Sequence, residues 1–260
     1  MNTETEIKML EAARDLADIR DVRVLTIYLD SHALPPEANG DEETYIDDVC
    51  NTQLQAIAKL GLADCVDAFC EGIRFLIDQV RWVFKAAKVH DLPIKLHAEQ
   101  INNFGGAALT AEFRGLLANH LEHVDEAGIE PMEAAGTAAV LLSGAYYSLR
   151  DINQPPFDLF QKHDVSMAIT NDCKPGSSPL TSILLAMNMA CTLFQMAPVE
   201  ALAGIARNAA KALGRDGFIG TIDDGIVCDL AIWDTDNRVE LSYAIGFNPL
   251  YQRIAGGEMK

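Results

Sequence analysis

At 260 residues, the chain is long enough for one large domain with a well-buried core, or for a barrel with a small appendage. Apolar residues make up 49% of the sequence and charged residues 22%, a balance typical of a packed globular protein and not of a disordered one. The net charge of −18 argues against binding to nucleic acid or to anionic membrane surfaces, because the field of the protein would repel both.

The sequence also lacks the features of a secreted or membrane-spanning chain. No apolar run approaches the ~20 residues that a spanning helix needs, and the first ten residues do not have the basic-then-apolar pattern of a signal sequence, so we expect a cytoplasmic protein. The cysteines are scattered without C-x-x-C pairing, which predicts buried free thiols and no disulfide framework. They are Cys50, Cys65, Cys70, Cys173, Cys191 and Cys228.

Short aliphatic or β-branched runs alternate with segments of helical periodicity from Val22 onward, after a first helix predicted from Glu4 to Leu16. This alternation is typical of repeated βα units around a parallel sheet. The six predicted strands are 22–29, 63–70, 93–96, 115–121, 137–142 and 165–170. The helices predicted between and after them include 45–59, 77–89, 125–135 and 180–196.

The pattern changes after a further helix predicted at 198–214, which has Pro near its start and Gly at its end. Residues 220–222 and 226–233, joined by a turn at Gly225, predict two short antiparallel strands. We therefore expect a small β appendage after a barrel-like body.

Polar side chains follow three of the predicted strands. His97 comes directly after one strand, His120 lies near the end of the next, and Asp172 follows the last. Catalytic groups of parallel barrels lie where strands end and βα loops begin, so these three side chains are candidates for one site. The alternative from spacing alone is that each residue merely caps or solvates a loop.

Two imidazoles and a carboxylate are also chemically suited to act together. Nitrogen and oxygen ligands suit zinc and iron, and such a metal lowers the pKa of bound water to about 7. The aspartate could then take and return a proton while a second histidine polarises a carbonyl.

Three ordered motifs make the prediction more specific: HAEQ at 97–100 followed by FGGA at 104–107, NHLE at 119–122, and DCKPGSSPLTS at 172–182. Together with matches at 31–37, 67–72 and 246–249, they resemble the imidazolonepropionases, metal-dependent amidohydrolases of histidine breakdown. The resemblance covers essentially the whole chain. It implies hydrolysis of the cyclic amide of 4-imidazolone-5-propanoate to N-formimidoyl-L-glutamate by metal-activated water, and a homodimer for the complete protein.

The resemblance also implies roles for individual residues. His97 and Asp172 would be ligands of one zinc or iron ion, with Asp172 also a proton shuttle, and His120 would polarise the reacting carbonyl. The residues expected to contact the small-molecule substrate are His32, Gln100, Lys174, Gly176 and Ser177. Lys174 stands where an asparagine is common in the family, and its ammonium could pair either with Asp172 or with a substrate carboxylate.

The fold that the resemblance implies is α/β: an incomplete amidohydrolase-type TIM barrel. Residues 1–215 would hold strands three to eight with their helices, and residues 216–260 would hold part of a small β-sandwich domain and a C-terminal tail. The sequence contains no His-x-His, the pair that supplies two metal ligands in this family, so metal binding by these 260 residues is in question. Two further hypotheses follow: a catalytically inactive fragment of that enzyme, or another cyclic amidohydrolase.

Overall fold

The computed structural model of the chain describes residues 3–20, 22–72 and 75–260. Strands and helices alternate through most of this length. The helices are α1 Thr3–Ile19, α2 Glu42–Asp48, α3 Leu54–Leu60, α4 Ile77–Val89, α5 Gly106–Glu112, α6 Glu126–Ala135, α7 Ser143–Leu149, α8 Phe157–Lys162, α9 Ile183–Leu193, α10 Pro198–Ile205, α11 Arg207–Ala212 and α12 Glu240–Tyr243. The strands are β1 Ile27–Tyr28, β2 Cys65–Val66, β3 Phe69–Cys70, β4 Lys95–Ala98, β5 Leu117–His120, β6 Ala138–Leu141, β7 Met167–Ile169, β8 Leu230–Trp233, β9 Leu250–Ala255 and β10 Glu258–Met259.

The body of the protein is a parallel sheet whose strand order follows the chain. Strands β3 to β7 pair in sequence, and β1 pairs with β2, which is joined to the chain before β4 by a bridge between Val66 and Ile94. The register places Phe69 beside His97 and His97 beside Asn119. Because residues in register on parallel strands point to the same face, these three side chains share one side of the sheet.

Each of the six segments predicted as strands contains strand residues, but the first, 22–29, forms a strand only at Ile27–Tyr28, and the third, 93–96, is shifted to Lys95–Ala98. The segment predicted at 63–70 is divided into β2 and β3, although Asp67 and Ala68 between them still make sheet-like hydrogen bonds, from Asp67 N to Tyr28 O and from His97 N to Ala68 O. Short buried strands in this position are what parallel βα units require, since helices cover their outer face.

Three predicted helices differ from the observed ones for local reasons. The 45–59 helix contains a π-helical turn at Val49–Gln53, which buries Gln53 to accept a hydrogen bond from Tyr28 Oη at 3.3 Å. The 180–196 helix begins only at Ile183, where the side chain of Ser182 caps the amide of Leu185. The 198–214 helix is broken into α10 and α11 by the non-helical backbone of Ala206.

The predicted C-terminal hairpin is wrong. Strand β8 pairs antiparallel with β9, which pairs with β10, and no strand is assigned to residues 220–222. Gly220 has φ +94°, and a Cβ there would lie 2.6 Å from Ala210 Cβ and 3.0 Å from Ala206 O. The segment turns closely over α11 at a position that favours glycine, so it cannot extend as a strand.

Polar side chains form hydrogen bonds with backbone groups at both outer strands of the parallel sheet. Glu6 of α1, itself buried, accepts a hydrogen bond from the amide of Leu29 just after β1, at 3.4 Å. Asn208 of α11 donates to the carbonyl of Met167 in β7 at 2.7 Å. These contacts satisfy groups that an edge strand otherwise presents to water or to another chain.

All six cysteines are free thiols, as predicted, but Cys173 and Cys228 are exposed, so their predicted burial is wrong. Both lie in loops, whereas Cys65 and Cys70 are buried in strands and Cys50 and Cys191 are partly buried in helices. Within the described residues, no helix has the length and hydropathy needed to cross a membrane.

Candidate active site

A cleft of about 780 Å³ opens on the face of the sheet that carries His97 and Asn119. Its polar lining groups at the strand ends include His32, Lys95, His97, Asn119, Asp172 and Lys174. Elsewhere the lining is largely apolar, with Leu117 and Val140 contributed by β5 and β6. An apolar pocket of this size with a few convergent polar groups is the usual form of a small-molecule site.

A buried ion pair between Asp67 and Lys95 contacts His97 and orients its ring. Its Nδ1 lies 3.1 Å from both carboxylate oxygens of Asp67, and Lys95 Nζ lies 3.0 Å from Asp67 Oδ2. Burial alone would raise the pKa of Asp67, but His97 and Lys95 outweigh it and lower that pKa well below its usual range. Burial likewise disfavours the ammonium of Lys95, yet Asp67 raises the pKa of Lys95 overall.

His120 lies beside His97 and is almost fully buried. The two ring centroids are 5.5 Å apart. Burial, together with His97 and Lys174, lowers the pKa of His120 well below its usual value, so the ring is neutral at pH 7. Its Nδ1 has no hydrogen-bond partner in the described part of the chain and lies 3.9 Å from Glu122 Oε2, which has none either.

Three buried glutamates follow β3, β4 and β5, and two of them, Glu71 and Glu99, hold the segment between β4 and α5. Glu71 accepts hydrogen bonds from the amides of Gln100, Ile101 and Asn102, at 2.7, 3.0 and 3.3 Å. Glu99 accepts from the amides of Gly106 and Ala107 at the start of α5. Burial raises the pKa of Glu99 to about 7 and that of Glu122 to about 8.

Asp172 and Lys174 form an ion pair after β7, with 3.0 Å between Asp172 Oδ2 and Lys174 Nζ. Lys174 and Ser178 close a tight turn through backbone hydrogen bonds in both directions, and Ser178 Oγ donates to Asn171 O at 2.7 Å. The turn therefore holds the Lys174 ammonium over Asp172, at the cleft.

Four of the ten non-glycine residues with positive φ in the described part of the chain lie at these strand ends. Glu99, His120, Leu121 and Asp172 all have positive φ, between 48° and 73°. Such conformations are uncommon for residues other than glycine and cost free energy, which the surrounding contacts must offset. Their position at the carboxyl ends of β4, β5 and β7 favours a functional site at this edge of the sheet.

The cleft brings together four of the residues predicted from the sequence. His32, His97, Asp172 and Lys174 all line it, and the His32 ring stacks on Phe69 with its centroid 5.8 Å from that of His97. His120 packs against His97 but does not line the cleft. The remaining predicted contacts also lie outside the lining: Gln100, Gly176 and Ser177.

Sequence reasoning missed Asp67 and Lys95. Lys95 precedes His97 by two residues on one strand, so strand periodicity alone puts both side chains on the same face. Asp67 is a charged residue within a run of buried apolar ones, which is itself a signal, because a fully buried carboxylate needs a partner.

The described residues do not form a metal site on their own. No three His, Cys, Asp or Glu side chains among them are arranged to hold one ion, whereas a catalytic zinc takes about three protein ligands. Asp172 is in addition already paired with the Lys174 ammonium.

Curated relatives match along the entire chain. Proteins named imidazolonepropionase from Bradyrhizobium diazoefficiens, Caulobacter vibrioides and Brucella suis are 54%, 55% and 52% identical over 258, 257 and 259 residues. These matches cover 99%, 99% and 100% of this chain and 64% of each relative, so the chain spans just under two thirds of the relatives' length. No family model matches the sequence.

Solved structures with the same fold are far more distant in sequence. A 5-methylcytosine deaminase from Klebsiella pneumoniae, liganded with 5-fluorocytosine, has a TM-score of 0.78 at 16% identity, covering 99% of this chain and 68% of that one. An atrazine chlorohydrolase from Arthrobacter aurescens complexed with zinc has a TM-score of 0.69 at 15% identity, covering 96% and 63%. The chain therefore shares its α/β fold, which contains a parallel sheet, with this deaminase and this chlorohydrolase.

Proposed function

The chain is homologous to the imidazolonepropionases over its whole length, and we propose from this that the protein hydrolyses the cyclic amide of 4-imidazolone-5-propanoate to N-formimidoyl-L-glutamate in histidine degradation. The observation that carries the proposal is the identity of 54% over 258 residues with proteins of that name. The positions of His97 and Asp172 on one cleft support it, and the relatives favour this substrate over another cyclic amide.

His120 is the group suited to polarise the substrate carbonyl. Its pKa is lowered well below the usual value, so its one ring proton is available at pH 7 for a hydrogen bond to a developing oxyanion. Its burial beside His97 keeps the ring away from water. Because His120 does not line the cleft, it would reach a substrate carbonyl only if the neighbouring loops move.

Asp172 is the group suited to move protons. It follows the last strand and lines the cleft, where its carboxylate is paired with the Lys174 ammonium. A carboxylate in this position can accept a proton from attacking water and return it to the leaving nitrogen of the ring.

Lys174, His32 and Gln100 are proposed to select the substrate. The Lys174 ammonium at the cleft can pair with the propionate carboxylate, leaving Asp172 free for chemistry. His32 offers a ring face near His97. Gln100, whose loop is anchored by Glu71, and Gly176 with Ser177 at the tip of the Lys174 turn would reach the substrate only if their loops close over the cleft.

A divalent metal, zinc or iron, is proposed to activate the water in the working enzyme. His97 and Asp172 would be two of its ligands. The described residues do not supply a third, and the roles proposed above for His120, Lys174 and His32 do not depend on one.

The architecture proposed for this activity is an incomplete TIM barrel, with residues 1–215 forming strands three to eight and residues 216–260 forming part of a small β domain. The six consecutive parallel strand positions and the separate antiparallel sheet of β8 to β10 support this division. We further propose a cytoplasmic location and a homodimeric working form.

The test is a substrate comparison with the protein expressed from its natural reading frame and supplied with zinc or iron. We expect 4-imidazolone-5-propanoate to be consumed, which is measured as the loss of its absorbance. Guanine and dihydropyrimidines should be left unchanged. Turnover of either of those compounds with none of the imidazolone would refute the assignment.

A further inference from the structure

The carboxylate behind His97 is buried more completely than the histidine itself. The side chain of Asp67 has no exposed surface, and its oxygens meet only two polar side chains in the described part of the chain, His97 and Lys95. Asp67 lies between β2 and β3, away from the cleft lining, whereas Lys95 and His97 both reach the cleft from β4. A fully buried carboxylate with two such partners calls for an explanation beyond packing.

The geometry restricts which nitrogen of His97 carries the proton. Nδ1 lies 3.1 Å from both oxygens of Asp67, and the ammonium of Lys95, 3.0 Å from Oδ2, keeps that carboxylate ionised. An ionised carboxylate can only accept hydrogen bonds, so the nitrogen facing it must be the donor. His97 also has ring contacts with His32, Phe69 and His120, but the hydrogen bond described for its Nδ1 is the one with Asp67.

We propose that Asp67 is a positioning residue that fixes His97 as its Nδ1–H tautomer and presents an unprotonated Nε2 to the cleft. Lys95 is its counter-ion. The reason for fixing this tautomer rests on the proposed function: an Nε2 that faces the cleft can act as a metal ligand or a hydrogen-bond acceptor only if it is unprotonated. Its geometry stands without that function. In water a neutral imidazole favours the opposite, Nε2–H form, so the two possibilities are distinguishable.

The test is the ¹⁵N spectrum of the histidine rings in the 260-residue chain, labelled at histidine and recorded above the titration range of the imidazoles. The His97 signals are identified by their loss in His97→Gln. We expect Nδ1 of His97 at the shift of a protonated ring nitrogen and Nε2 at the shift of an unprotonated one. An Nε2–H pattern for His97 in the unaltered chain would overturn the proposal.

Variants separate this role from a merely structural one. Asp67→Asn keeps the size of the side chain, but the Lys95 ammonium would hold the carbonyl oxygen and turn the amide NH2 donor toward Nδ1, so most of His97 should convert to the Nε2–H form. Lys95→Met leaves the acceptor in place and should retain the Nδ1–H form. The matched control Asp78→Asn removes an exposed carboxylate from the first turn of α4 and should leave all ring signals unchanged.

The outcomes remain interpretable if a variant is unstable, because the spectrum of the unaltered chain decides the tautomer by itself. An Nδ1–H pattern that persists unchanged in folded Asp67→Asn would show that Asp67 does not set it. The readout needs neither substrate nor metal. A protein inactive on imidazolone with His97 in the Nδ1–H form would therefore refute the proposed function and leave this inference standing.

Discussion

His120 Nδ1 and Glu122 Oε2 face each other across 3.9 Å, each without a hydrogen-bond partner among the described residues. Burial is the main reason that the pKa of His120 is lowered and that of Glu122 is raised to about 8. Both groups are therefore neutral at pH 7, which avoids the larger cost of two unpaired buried charges. This pair shows how the site tolerates titratable groups in a dry environment.

A dependence of stability on pH follows from Glu122. Below its ordinary pKa of 4.5 the carboxyl is protonated in both the folded and the unfolded state, so it does not make the free energy of unfolding depend on pH. Between pH 4.5 and 8 the folded state keeps a proton that the unfolded state has lost, and the free energy of unfolding falls as pH rises. The slope from this one group is at most about 1.4 kcal/mol per pH unit.

We predict that Glu122→Gln removes this slope. Urea denaturation at pH 4.5 and at pH 8 should show that the variant gains stability relative to the unaltered chain as pH rises. The control Glu130→Gln, at an exposed position of α6, should run parallel to the unaltered chain. A constant difference between Glu122→Gln and the unaltered chain at both pH values would mean that Glu122 is ionised in the fold.

The strand-end position of His97 and Asp172 could be predicted from the sequence because apolar runs and the residues after them are local features. Asp67 could not be assigned to His97 in the same way. The two are 30 residues apart, and their contact depends on the pairing of β3 with β4. Contacts of this kind are set by register, which a single sequence does not give.

At the scale of elements, strands were predicted more reliably than helix boundaries. Buried βα strands are continuous apolar runs, so their positions are visible in the sequence. The π turn at Val49–Gln53, the break at Ala206 and the course of residues 220–222 are decided by contacts with other elements. The pairing of β8 with β9 joins residues about twenty positions apart. Turn residues in the sequence predict only hairpins with short loops, so they do not predict this pairing.

The outer strand β7 provides a prediction at this scale. Asn208 of α11 donates to the carbonyl of Met167, a buried residue, at 2.7 Å. Asn208→Ala should lower the free energy of unfolding by about 1–3 kcal/mol, because the carbonyl loses its donor. The higher helix propensity of alanine offsets at most about 0.7 kcal/mol of that loss.

Chemical denaturation measures this effect directly. Asn102→Ala, at an exposed asparagine whose side chain makes none of the hydrogen bonds described, is the matched control and should change stability little. Equal stability of Asn208→Ala and the unaltered chain would mean that water replaces the lost donor and that the β7 edge is open to solvent.

For the whole molecule, the polar strand ends and the apolar cleft lie on one side of a parallel sheet, as in enzymes that act on small molecules. Two further properties belong to the whole molecule: its net charge is −18, and it spans 64% of the length of a curated relative. We propose that residues at the carboxyl ends of β4 and β5 and after β7 form one active site.

The most direct test compares two variants of the protein expressed from its natural reading frame, assayed on 4-imidazolone-5-propanoate. Asp172→Asn should lower kcat by about 100-fold or more, the usual contribution of a general acid–base group. Lys174→Met should mainly raise KM, since its ammonium is proposed to bind the substrate carboxylate. An Asp172→Asn protein with undiminished kcat would contradict the assignment of this cleft as the active site.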